Sequence, residues 1–153
     1  MRRLSSGATA MVAEAARVAV LDASALAALL FGEPDGERVE AALRGARPVA
    51  PSLIRFEVGN VCLTKLRLHP GERARLMAAL RLLDRMDLRT VEVDPGEVVV
   101  LAEAESLTFY DAACLWLAVV LGAPLVTLDR RLGEAAQRVL GRRRGPRQEK
   151  RRR

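Results

Sequence analysis

The sequence predicts an α/β domain with a mainly parallel central sheet covered by helices on both faces. Short apolar runs with β-branched residues recur along the chain, longer segments of helical period separate them, and Gly, Pro and Asp mark most junctions. Strands separated by helices need crossover connections, which return the chain to a parallel neighbour and lay a helix across the sheet. With 153 residues, 50% of them hydrophobic, one domain can bury roughly two-thirds of its unfolded surface. Neither a disulfide nor a structural metal is needed for stability.

The elements follow in order. Val18–Leu21 is a β-branched run closed by Asp22, and Ser24–Phe31 is rich in Ala and Leu, so strand, turn and helix are expected. Past Gly32 and Pro34 an amphipathic stretch runs to Leu43. Pro48–Ala50 is a brief apolar segment, and Pro51-Ser52 is a good start for a helix over Leu53–Leu68. There Ile54, Val58, Val61, Cys62 and Leu66 recur at helical spacing, so Glu57, Asn60 and Thr64 form a separate polar stripe facing water or a site. His69-Pro-Gly71 breaks the chain. Helical period returns over Glu72–Met86, and Leu88–Val93 reads as a strand before the Asp94-Pro-Gly96 turn. Val98–Ala104 mixes a valine run with helix-forming Ala and Glu and is assigned to a helix. Tyr110–Leu121 is an apolar helix, Leu125–Thr127 a short buried strand, and Leu132–Leu140 a final helix.

Composition limits the possible functions. Cys62 and Cys114 lie far apart in apolar helical runs, as expected of reduced, buried thiols in a cytoplasmic protein, which disfavours zinc ligation. His69 is the single histidine and sits in a turn, so chemistry based on histidine is disfavoured. Eight basic residues and one acid between Arg142 and Arg153 leave the preceding residues with a net charge of −1 against +6 overall. The high pI therefore belongs to a basic tail over 141–153, expected to be disordered. Residues 1–16 read as a flexible extension whose apolar stretch is too broken for a signal peptide. The uncharged run Ala112–Leu128 is interrupted by Gly122-Ala-Pro124, so a buried helix and strand are expected rather than a membrane span.

In such a sheet, ligands bind beyond the carboxyl ends of the strands, where Asp22 and Asp129 follow their apolar runs. Taken singly, each is an ordinary helix N-cap, Asp111 suits the first turn of its helix, and Glu57 passes for a surface residue. Together they mark the edges of the most buried segments. Carboxylate oxygens are the hard ligands of magnesium and manganese, and several held together repel one another unless a cation binds. Ser24, Asn60 and Thr127 fall near the same edge as candidates to orient carboxylates or water.

Four blocks now stand in order: Val20-Leu-Asp-Ala-Ser-Ala25, Pro51-Ser-Leu-Ile-Arg-Phe-Glu57 with Asn60, Leu107-Thr-Phe-Tyr-Asp-Ala112, and Thr127-Leu-Asp-Arg-Arg-Leu132. Their order and spacing resemble a PIN-domain ribonuclease of the VapC toxin type over about Val18–Leu140. The resemblance implies a PIN-like three-layer α/β/α sandwich over 17–140. Asp22, Glu57, Asp111 and Asp129 would hold one or two Mg²⁺ or Mn²⁺ ions that activate water for attack on RNA. It also implies a homodimer and a cognate antitoxin. Asp22 and Asp111 would ligate directly; Asp129 and Glu57 would bind directly or through water and help accept a proton.

Rival readings fare less well. A haloacid-dehalogenase-type phosphatase would want a second aspartate where Ser24 stands. No glycine-rich loop supports a P-loop or Rossmann site. The remaining alternative is a non-catalytic RNA- or protein-binding module using the basic tail.

Overall fold

The structure, a computed structural model, describes residues 17–144 and the side chains of 17–142. The extension over 1–16 and the tail from residue 145 lie outside the described residues. In chain order the elements are β1 (Arg17–Leu21), α1 (Ala23–Phe31), α2 (Gly36–Leu43), β2 (Ala46–Pro51), α3 (Ile54–Leu68), α4 (Arg73–Leu82), β3 (Arg89–Val91), α5 (Pro95–Glu105), α6 (Phe109–Leu121), β4 (Leu125–Val126) and α7 (Arg130–Arg144). The four strands form one sheet in the order β3-β2-β1-β4, and every pairing is parallel.

The three layers follow from β1, whose Ala19, Val20 and Leu21 are all buried, as a central strand covered on both faces requires. The pleat sends Val20 one way, with Val49 of β2, against Leu115 and Leu117 of α6 and Leu132 and Ala135 of α7. Leu21 points the other way, against Ala25 and Ala28 of α1 and Val39 of α2. On that second side, Leu26 and Leu30 of α1 meet Ile54 and Val58 of α3 and Leu76 of α4. Full burial of each such aliphatic side chain contributes about 1.5–3 kcal/mol. Cys62 and Cys114 are free and buried, as expected.

The predicted α/β/α architecture is present, with instructive changes at the boundaries. Pro48–Ala50 is the middle of a six-residue strand, and Pro51 ends that strand rather than opening α3. The expected helix over Glu72–Met86 is α4 flanked by two 3₁₀ turns, Pro70–Glu72 and Leu83–Arg85. β3 and β4 are shorter than predicted, with Thr127 just past the end of β4. The last helix starts two residues before Leu132 and runs to Arg144, into the segment assigned to the tail. Gly122 ends α6 at φ 60, a left-handed conformation open to glycine at little cost. Among the described residues no single helix is long and apolar enough to cross a membrane.

Candidate functional site

The β1–β4 register sets the centre of the site. Val20 pairs with Leu125 and Leu21 with Val126, so the two residues that follow, Asp22 and Thr127, meet at the carboxyl edge of the sheet. Asp22 leaves β1 in extended conformation and caps α1, its Oδ1 accepting the Ala25 N–H at 2.9 Å. The Thr127 hydroxyl donates to Oδ2 at 2.5 Å. The Ser24 hydroxyl lies 2.7 Å from Oδ1 and 2.9 Å from Oδ2.

Both hydroxyls are oriented from behind. Ser24 Oγ accepts the Leu128 N–H and Thr127 Oγ1 accepts the Asp129 N–H, each at 3.0 Å, so their protons are directed at Asp22. Asp22 is thereby fixed although it is only 4% exposed. Ala25, Thr127 and Ser24 thus supply three donors to a carboxylate that can accept about four hydrogen bonds.

The other acids come from three helix starts. Asp129 caps α7, its Oδ1 accepting the Leu132 N–H at 2.8 Å while the residue stays exposed. Asp111 lies in the first turn of α6, where Thr108 caps the helix by accepting the Asp111 N–H at 3.2 Å. Glu57 lies in the first turn of α3 and is half-buried. The ordinary roles that the sequence allowed, caps for Asp22 and Asp129 and a first-turn place for Asp111, are therefore real. They coexist with a shared electrostatic field.

That field appears in the ionisation of the acids. Burial, then repulsion by Asp111 and Asp22, raises Glu57 to about 7. Burial raises Asp111, with repulsion from Asp129 and Asp22 adding to it, while the Thr108 hydrogen bond and Arg131 act in the opposite direction. Burial also raises Asp22, offset in part by Thr127, Ala25 and Ser24, with Asp129 repelling. Burial pushes the Cys114 thiol well up, helped by Asp22, Glu57 and Asp111, and its Sγ lies 3.9 Å from the Leu21 carbonyl oxygen.

Ser24 and Thr127 thus touch Asp22 directly. Asn60 does not join that network; it lines a cleft of about 360 Å³ with Ala23, Phe56, Glu57, Val61 and Tyr110. Sequence reasoning missed Arg131, whose guanidinium donates to the Ser106 carbonyl at 2.8 Å and draws Asp111 down. Its place two residues after Asp129 was the available signal.

A donor set made wholly of carboxylate oxygens, mutually repelling and partly buried, fits a hard divalent cation. Among the described residues no three acids are already gathered on one coordinating point. The family model for the PIN domain matches residues 19–138. The chain belongs to the PIN-domain family. The PIN match spans all four acids and leaves both termini outside. The chain is 32% identical over 120 residues to Ribonuclease VapC3 from Pyrobaculum aerophilum, an alignment covering 75% of this chain and 92% of that relative. It also resembles the crystal structure of PAE2754 from Pyrobaculum aerophilum, with a TM-score of 0.65 and 26% identity, covering 84% of this chain and 96% of that one.

Proposed function

We propose that this chain is a ribonuclease of the VapC type, hydrolysing RNA phosphodiester bonds at Asp22, Glu57, Asp111 and Asp129 with Mg²⁺ or Mn²⁺ held between them. The observation that carries this reading is that acids from four separate segments share one field at the strand ends. A divalent cation held there would supply an acidified water and offset charge on the phosphoryl oxygens. Asp22 and Asp111 would ligate it directly. Ser24 and Thr127 keep the Asp22 carboxylate in one orientation, which limits the reorganisation needed when a ligand arrives. Glu57, with a pKa of about 7, suits acceptance of a proton from the attacking water at neutral pH. Asp129 completes the set, directly or through water.

The same family reading supplies the partners: RNA as substrate, a cognate antitoxin as inhibitor, and a second copy of the chain. The exposed Val100 of α5 and Val120 of α6, which line one shallow groove, offer a second copy an apolar surface. A binding module acting through its basic tail is not favoured, because the family match covers the body that carries the acids. The test is cleavage of single-stranded RNA by purified, antitoxin-free protein. Activity should require Mg²⁺ or Mn²⁺, stop in EDTA and fall roughly 100-fold or more in Asp111→Asn. Undiminished cleavage in EDTA, by a preparation free of contaminating nuclease, would sink the metal mechanism.

A further inference from the structure

Phe56 and Tyr110 are 78% and 51% exposed, although aromatic residues make up only 3% of the chain. Phe31, by contrast, is buried in the core, and Phe109 packs with Val98 and Ala113. Scattered exposed apolar residues need no explanation, but these two share one cleft, and each immediately precedes an acid of the site, Glu57 or Asp111. Phe56 is on α3 and Tyr110 on α6, so two separate helices bring a ring to the same place. The Phe109 ring meets Tyr110 edge-on with centroids 6.2 Å apart, which limits where the tyrosine ring can go.

Charge makes this placement informative. Four carboxylates mark the site, and a cation held among them, with Arg131 beside Asp111, would attract a phosphate but not an uncharged base. A base beside that phosphate needs an attraction that does not depend on charge, and ring-on-base stacking is one, available only to unpaired bases. The cleft wall includes Glu57 itself, so its occupant is continuous with whatever the acids act on. Asn60, exposed on the same wall, carries both a donor and an acceptor suited to a base edge.

We propose that Phe56 and Tyr110 form a stacking subsite for an unpaired RNA base next to the scissile phosphate, with Asn60 reading the edge of that base. The proposal rests on the ribonuclease reading for the identity of its ligand. Its consequence is a requirement for single-stranded substrate, set by these rings rather than by the acids.

The test uses the full chain and a short single-stranded oligoribonucleotide carrying 2-aminopurine, whose fluorescence is quenched by stacking, in Ca²⁺ in place of the catalytic ion. Wild type should quench the probe, Phe56→Leu with Tyr110→Leu should lose that quenching, and Phe56→Trp should retain it. In cleavage assays with Mn²⁺, the double leucine variant should show KM raised roughly tenfold or more with kcat changed much less. Removing the base at the stacked position should cost wild type that same factor and cost the double variant little. Both rings are exposed, so the variants should keep the wild-type melting temperature. Quenching without any cleavage by wild type would uphold the subsite and count against the ribonuclease reading. Unchanged quenching and KM in the double leucine variant would overturn the subsite.

Discussion

At Glu57, burial and the charges of Asp111 and Asp22 act in the same direction and hold the carboxyl at about 7 against an ordinary 4.5. A carboxyl raised in the folded state favours folding fully only below the unfolded value, and that advantage is lost as pH rises from about 4.5 through about 7. Metal-free protein should therefore melt lower at pH 8 than its Glu57→Gln variant, with the gap closing at pH 4.5. A gap independent of pH in EDTA would contradict this assignment. Asp111→Asn provides a second check. It relieves repulsion in the metal-free protein, so it should melt no lower than wild type, while Mn²⁺ should raise the melting temperature of wild type much more than that of the variant. If Asp111 only favours its helix dipole, the variant should instead lose about 0.3–1 kcal/mol and respond to Mn²⁺ as wild type does. Asp22 and Asp129 were legible at strand ends, Asp111 in a helix's first turn and Glu57 on a polar helical stripe. Their shared field was not, because it depends on how α3 and α6 approach β1. The same is true of Thr127, whose contact with Asp22 follows from a strand register that local sequence does not state.

β4 has only two residues, yet it aligns the site through Thr127. Thr127→Val keeps the shape of the side chain and removes both the donor to Asp22 and the acceptor for the Asp129 N–H. It should cost about 1–3 kcal/mol and reduce activity, whereas Thr127→Ser should retain both, as denaturant melts and cleavage rates would show. At the end of α5, Ser106 is the described non-glycine residue with positive φ, at 53. Ser106→Gly should stabilise by about 0.5–1 kcal/mol without changing activity, since the carbonyl that receives Arg131 is retained. The strand over Ala46–Pro51 was only partly legible because prolines are poor members of interior strands. The register places each proline against one neighbour only: Pro48 pairs with β1 but lies before the β3 pairing begins at Val49, and Pro51 pairs with β3 but lies past the last β1 partner, Val49. Likewise the helical period over Glu72–Met86 carried no sign of its 3₁₀ ends, because each is a single three-residue turn, too short for a period of 3.0 to differ visibly from 3.6.

For the whole molecule, alternation of strand and helix was enough to predict a parallel sheet covered on both faces. The strand order was not legible, since it is long-range packing that places β1 at the centre and β4 on its far side. Charge is a property at this scale too. Truncation after Arg144 removes five basic residues and one acid, and leaves every described strand and helix in place. If the tail binds phosphate, the truncated protein should bind RNA more weakly, with a salt dependence flatter by about 0.7 in log–log slope for each phosphate no longer neutralised, while its metal requirement persists. An unchanged slope, measured by titration at several salt concentrations, would give the tail another role.

The hydrogen bond from Thr127 to Asp22 joins residues 105 positions apart, which has a consequence in time. A chain emerging from the ribosome exposes Asp22 first, then Glu57, then Asp111, and until β4 follows β1 has no partner on that side and Asp22 lacks one of its two oriented hydroxyls. The site cannot assemble on a partial product of synthesis. Stalled nascent chains ending before Leu125, which lack both Thr127 and Asp129, should be inert towards RNA even when Mn²⁺ is abundant.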